Sequence, residues 1–184
     1  MLLEKNNTCL VVFNMQLELI PILMNGTQLL NDCRWLVDVA KSFDLSTIII
    51  EHKKLGASSE TLKEVAEKAT YFEKTYFDFS KHENIRDQIL NSGCTQFVLA
   101  GAETHVCLLQ SALGLQKMGK EVYVLEDTCS ARNKKDHKLG LKRMEKEGVH
   151  LITKEMLFFE SIRHSEYPNY IDLAMKFLDG RYIK

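Results

Sequence analysis

Apolar residues along this chain follow two alternating patterns: short unbroken runs, and longer stretches where they return every third or fourth position. The runs are "CLVVFN" at residues 9–14, "STIIIE" at 46–51, "TQFVLA" at 95–100, "EVYVLE" at 121–126 and "VHLIT" at 149–153. Short runs of this kind predict strands buried on both faces. After the first, Leu29, Leu30, Cys33, Leu36, Val37 and Ala40 keep helical spacing and predict a helix over residues 27–43. Ser58, Ser59 and Thr61 offer caps for a short helix reaching residue 69, with Thr61 and Glu64 at capping-box spacing. Further helices are predicted over 82–91, stopped by Gly93, over 105–118, stopped by Gly119, and over 135–147. A last one follows Pro168 within residues 165–180. "FEKTYFDFS" at 72–80 has no clear period and reads as a loop or short strand.

Strands that alternate with helices and carry continuous apolar runs predict a parallel sheet covered on both faces, an α/β fold. No linker, repeat or low-complexity segment divides residues 1–184, so one domain is expected. Open sheets of this kind bind ligands outside the carboxyl ends of their strands. That rule points to Asn14, Glu51, the stretch after Ala100, and Asp127.

Composition changes the picture little. The 184 residues suffice for one sizeable core, and 45% hydrophobic with 27% charged residues is ordinary for a globular protein. A net charge of −1 recommends neither nucleic acid nor an anionic membrane as a partner. The basic stretch at 132–146 is interleaved with acidic residues at helical spacing and reads as a solvated helix face. Five cysteines, with no CxxC pair and no zinc-type grouping, read as reduced thiols. The first eight residues lack the apolar core of a signal peptide, and no apolar run has membrane length. A cytoplasmic protein is expected.

The most informative chemistry lies in "VLAGAETHVCLLQSAL", residues 98–113. A buried strand, a glycine and a short connection place Cys107 in the first turn of the next helix. A helix N-terminus carries partial positive charge and free N–H groups, which favour thiolate and can hold an oxyanion. Burial as a small core residue is the competing reading of Cys107. The connection lacks the glycines of a dinucleotide site.

That segment, followed by "GKEVYVLEDTCSAR", resembles the signature of the isochorismatase-like cysteine hydrolases, and "ETHVC" resembles the isochorismatase domain-containing group within them. "IIIEHKKLG" and "FEKTYFDFS" extend the match over most of residues 9–153. The resemblance implies a three-layer αβα sandwich, Rossmann-like, on a parallel sheet of about six strands. It also implies an Asp–Lys–Cys triad, with Cys107 as nucleophile and Lys74 of "EKTYF" beside it. A cis peptide between Ala102 and Glu103 is implied too. Substrate-binding and oxyanion roles fall to Ala102, Glu103, Thr104, His105 and Gln16. The implied reaction attacks a small amide, ester or related carbonyl substrate, with no cofactor. "EHKKLG" lacks the aspartate and two histidines of the nicotinamidase branch, so no catalytic metal is expected. The family also implies a homo-oligomer, a dimer or larger; the apolar residues of 155–162 offer contact surface, although packing within the chain is the favoured reading of them.

One position departs. Where the family has Asp in a "D-x-Q" pattern, this chain has Asn14 before Gln16. An amide hydrogen-bonds but cannot exchange a proton. The expectation is an intact site with slow turnover, or a non-catalytic member that binds a small molecule or protein partner. Glu51, His52, Glu103 and His105 are expected as pocket or structural groups rather than replacement bases.

Overall fold

The structure is a computed structural model, and residues 1–178 are described. Six strands, β1 (Thr8–Phe13), β2 (Ser46–His52), β3 (Thr70–Lys74), β4 (Gln96–Ala102), β5 (Glu121–Ser130) and β6 (His150–Ile152), form one sheet ordered β3-β2-β1-β4-β5-β6. Every pairing is parallel. Central β1 and β4 are buried along their whole length, as their unbroken apolar runs require.

Alternation along β1 shows the layers. Leu10 and Val12 pack in one cluster with α1 (Gly26–Ser42), α2 (Glu60–Val65), α6 (Lys154–Ile162) and α7 (Tyr170–Phe177). Cys9, Val11 and Phe13 face the other cluster, with α3 (Glu83–Asn91), α4 (Leu109–Lys117) and α5 (Lys134–Lys146). The result is the expected three-layer αβα sandwich.

Five local outcomes refine or depart from the sequence pattern. α2 ends at Val65 rather than residue 69, because residues 66–69 turn the chain into β3. Its capping box does not form; the Ser59 hydroxyl instead pairs with that of Thr61 at 3.0 Å. The unperiodic segment contributes edge strand β3, which pairs with β2 and ends on Lys74. β5 runs four residues past Glu126, its outer half hidden in the sequence by exposed Glu126 and Asp127. Residues 154–162 form α6, capped by the Thr153 hydroxyl, which accepts from Met156 N–H. Within α6, Leu157, Phe158 and Ile162 pack into the core, leaving Met156 and Phe159 exposed. The helix expected within 165–180 is α7; residues 179 and 180 lie outside the described residues.

Gly101 shapes the end of β4. Its φ is +102°, and the β4–β5 register shifts between Leu99 and Gly101. An added Cβ would lie 2.2 Å from the Phe13 carbonyl oxygen. Neither backbone can yield without breaking the central ladder. Gly101→Ala is therefore expected to cost roughly 2–4 kcal/mol, from strain and overpacking together. Urea unfolding measures it, and a loss under 0.5 kcal/mol would refute the account.

Candidate active site

β1, β3 and β4 bring three side chains to one point at the carboxyl end of the sheet. Asn14 follows β1 directly with φ +54°, a left-handed conformation that asparagine tolerates better than most residues. Its N–H donates to the Ile50 carbonyl at 2.8 Å, anchoring the turn to β2. Lys74 ends edge strand β3 with its side chain turned inward and fully buried. After β4 the chain passes through a cis peptide between Ala102 and Glu103, as the resemblance implied.

Cys107 does not open a regular α-helix. It lies in a π-helical turn, Thr104–Leu108, that precedes α4. In this wider turn the N–H groups of Val106 and Leu108 both donate to the Glu103 carbonyl, at 3.1 and 3.3 Å. Those two amides are therefore committed within the loop, unlike the free groups expected of a helix start.

Two nitrogens converge on the sulfur. Lys74 Nζ lies 3.1 Å from Cys107 Sγ, and Asn14 Nδ2 lies 3.2 Å from it. Lys74 also donates to the Tyr76 carbonyl at 3.1 Å, and Asn14 Nδ2 to the Ala102 carbonyl at 2.8 Å. The Ala102 contact fixes the amide's orientation, since a carbonyl can only accept. None of the ion pairs among the described residues includes Lys74. A buried ammonium without a carboxylate is costly, and a sulfur anion is the natural counter-charge. With asparagine rather than aspartate beside it, an ammonium–thiolate pair is electrically balanced.

Asn14 and Cys107 line a cavity of about 400 Å³. Its walls are apolar, from Leu19, Ile22, Leu55, Phe77 and Val106, with His52, Lys54, Glu103 and Arg132 supplying polar groups. The His52 ring stacks on Phe77, with centroids 6.0 Å apart. Its Nδ1 accepts from Lys54 N–H at 3.3 Å, so Nε2 carries the proton of the neutral ring. Burial, and then the Lys74 charge, hold the imidazole below its ordinary value, keeping it neutral at pH 7. Glu103 accepts from Arg132 Nε at 3.0 Å and from its backbone N–H at 3.2 Å, tying the β4 loop to the end of β5.

Of the other residues expected in substrate or oxyanion roles, only Glu103 lines the cavity. Gln16 clamps the β2 loop, accepting from His52 N–H at 2.7 Å and donating to the carbonyls of His52 and Gly56. The Thr104 hydroxyl donates to the Ser130 carbonyl at 3.0 Å, and its oxygen meets His137 Nδ1 at 2.9 Å. His105 turns toward Asp136, 3.8 Å away. Ala102 contributes the carbonyl that accepts from Asn14. Glu51 holds the Ser58 N–H at 2.9 Å. Sequence reasoning missed Arg132, because β5 was read as ending at Glu126. It also missed Phe77 and the apolar walls, which come from loops without period.

Residues 8–156 match the isochorismatase domain. The chain belongs to the isochorismatase family. Isochorismatase domain-containing protein 2 of Xenopus laevis is 27% identical over 135 residues, covering 73% of this chain and 66% of that one. The MAR1 ribonuclease structure from Caenorhabditis elegans is 28% identical, with TM-score 0.88, over 95% of this chain and 91% of that one. The octameric hydrolase YcaC of Escherichia coli shares the fold at 23% identity and TM-score 0.84, covering 96% of each chain. The isochorismatase-family hydrolase fold thus accounts for the sheet order and the three layers. Among the described residues, no helix is long and apolar enough to cross a membrane.

Proposed function

We propose that this single-domain family member is a cysteine hydrolase that acts slowly on small amide- or ester-type substrates, with Cys107 as nucleophile. One observation carries the reading: the convergence of Lys74 Nζ and Asn14 Nδ2 on Cys107 Sγ beside the cavity. Two donors favour the sulfur anion over the thiol. The thiolate attacks the substrate carbonyl carbon, and the carbonyl π pair moves to oxygen as an oxyanion. Backbone N–H groups of the Ala102–His105 loop are the proposed oxyanion donors, and Gln16 and Glu103 shape the pocket. When the oxyanion collapses, the leaving group departs with its bonding pair and takes a proton from the Lys74 ammonium. Water then adds to the thioester, giving its proton to the neutral Lys74 amine, and the thiolate leaves with the C–S pair. Asn14 takes no part in these transfers, which leaves Lys74 to serve both half-reactions and slows turnover.

The reaction as written needs no cofactor or metal, and its substrate is a small molecule rather than nucleic acid or membrane. A cytoplasmic homo-oligomer, a dimer or larger, is proposed with it; the octameric relative supports the assembly, and exposed Met156 and Phe159 on α6 offer apolar contact. A second reading rests on Asn14 itself: a member that binds a small molecule or protein partner without turnover.

The test is a panel of small amides and esters with native protein, and Cys107→Ala as the blank. Turnover that vanishes in Cys107→Ala is the expected result. No turnover together with ligand-induced stabilisation would favour the binding reading. A polynucleotide arm is included because of the nematode relative's ribonuclease name; RNA cleavage that depends on Cys107, without amide or ester turnover, would overturn the proposal.

A further inference from the structure

We propose that Asn14 reads the ligand: its Oδ1 accepts a hydrogen bond from an N–H beside the electrophilic carbon. The site then prefers carboxamide-type ligands to esters of the same shape. This rests on the reading of Cys107 as the reactive group.

The Ala102 carbonyl and the Cys107 sulfur both draw on Nδ2, at 2.8 and 3.2 Å, so Oδ1 faces away from both. Asn14 is 1% exposed and lines the cavity, yet Oδ1 has no hydrogen-bond partner. Buried acceptors almost always have one, and leaving one bare forfeits its hydration. The two groups within hydrogen-bond distance of this amide, the Ala102 carbonyl and the Cys107 sulfur, both accept from Nδ2, and a ligand in the cavity would supply the donor that Oδ1 lacks. An N–H next to the carbon under attack would seat there while the apolar walls hold the ligand's body. An ester has no donor to offer. An aspartate at this position could also accept, but it could not donate to the sulfur at the same time. Asparagine does both, so the substitution that removes proton exchange supplies a group that orders nucleophile and ligand together.

Alkylation tests this without turnover. The probes are 2-iodoacetamide, methyl iodoacetate and N,N-dimethyl-2-iodoacetamide; the last two lack an N–H. In each case the thiolate pair forms the C–S bond, iodide leaves with the C–I pair, and no proton moves. Peptide mass spectrometry separates Cys107 from the other four cysteines, and rates are divided by those of free cysteine. Iodoacetamide is expected to lead both other probes at Cys107 by about tenfold, the worth of one hydrogen bond. Asn14→Asp should keep that preference at a lower absolute rate, and Asn14→Ala should lose it. Equal normalised rates in the native protein would overturn the proposal. So would a methyl ester as fast as iodoacetamide while the dimethyl amide lags, since shape would then decide. If no probe modifies Cys107 faster than the other buried thiols, the nucleophile reading itself fails, and this inference with it.

Discussion

Replacing Lys74 with methionine is expected to slow iodoacetamide alkylation of Cys107 at pH 7 by about 10- to 100-fold, because it removes the ammonium that lies 3.1 Å from the sulfur. The same variant should melt no lower than the native protein. Lys74 is fully buried, and its ammonium meets only a carbonyl and the sulfur among its hydrogen-bond partners. Methionine fills a similar volume without a charge to desolvate, and Cys107 can take up a proton when its counter-ion goes. Apolar replacement of a buried ion pair is often neutral or stabilising. The two readouts therefore separate, which a purely structural lysine would not allow. A fall in melting temperature with unchanged alkylation would make Lys74 a structural residue and remove it from the site.

The competing thiols serve as internal controls. Burial pushes Cys129 up to about 12 and Cys33 higher still, so both should stay unmodified in the folded protein. Cys94 is held below its ordinary value by a hydrogen bond from Cys9. It precedes β4, at the opposite end of that strand from Cys107, and is buried. It is the informative competitor.

The strands of the sheet's centre were legible because a parallel strand covered on both faces carries a continuous apolar run, which β1 and β4 have within their fully buried lengths and β2 has at residues 48–50. β3 was legible only as a loop or short strand, since an edge strand can be built from "TYFEK" with only Lys74 fully buried. The end of β5 failed for a related reason: Glu126 and Asp127 interrupt the run, although hydrogen bonding continues to Ser130. At residues 155–162 packing within the chain was the favoured reading over contact surface, and burial of Leu157, Phe158 and Ile162 in α6 agrees with it.

The site divides along the same line. Asn14 and Cys107 follow the two central strands, so the rule for open sheets reached them from the pattern. Lys74 came only through the family resemblance, because a lone lysine on an unperiodic segment gives no sign of turning inward. The cavity walls were invisible, being assembled from loops whose positions depend on tertiary packing. The direction of the Asn14 amide was also beyond sequence reasoning. It follows from the Ala102 carbonyl, which sits opposite only because β1 and β4 are neighbours in register.

Asn14→Asp is expected to raise Cys107-dependent turnover by about 10²- to 10⁴-fold, the usual worth of a positioned acid–base group. The gain should come with a loss of stability. In the native geometry an aspartate oxygen would replace Nδ2, 2.8 Å from the Ala102 carbonyl oxygen and near the sulfur, putting acceptors face to face. Losing that hydrogen bond and crowding the acceptors should cost roughly 1–3 kcal/mol at pH 7. Melting curves for both proteins at pH 7 measure that cost, while hydrolysis of the amide and ester panel at the same pH measures the gain in turnover. A folded Asn14→Asp that shows no gain would mean that proton exchange is not what native turnover lacks. Asparagine would then be the residue the site requires, as a donor to the sulfur on one side and an acceptor for the ligand on the other.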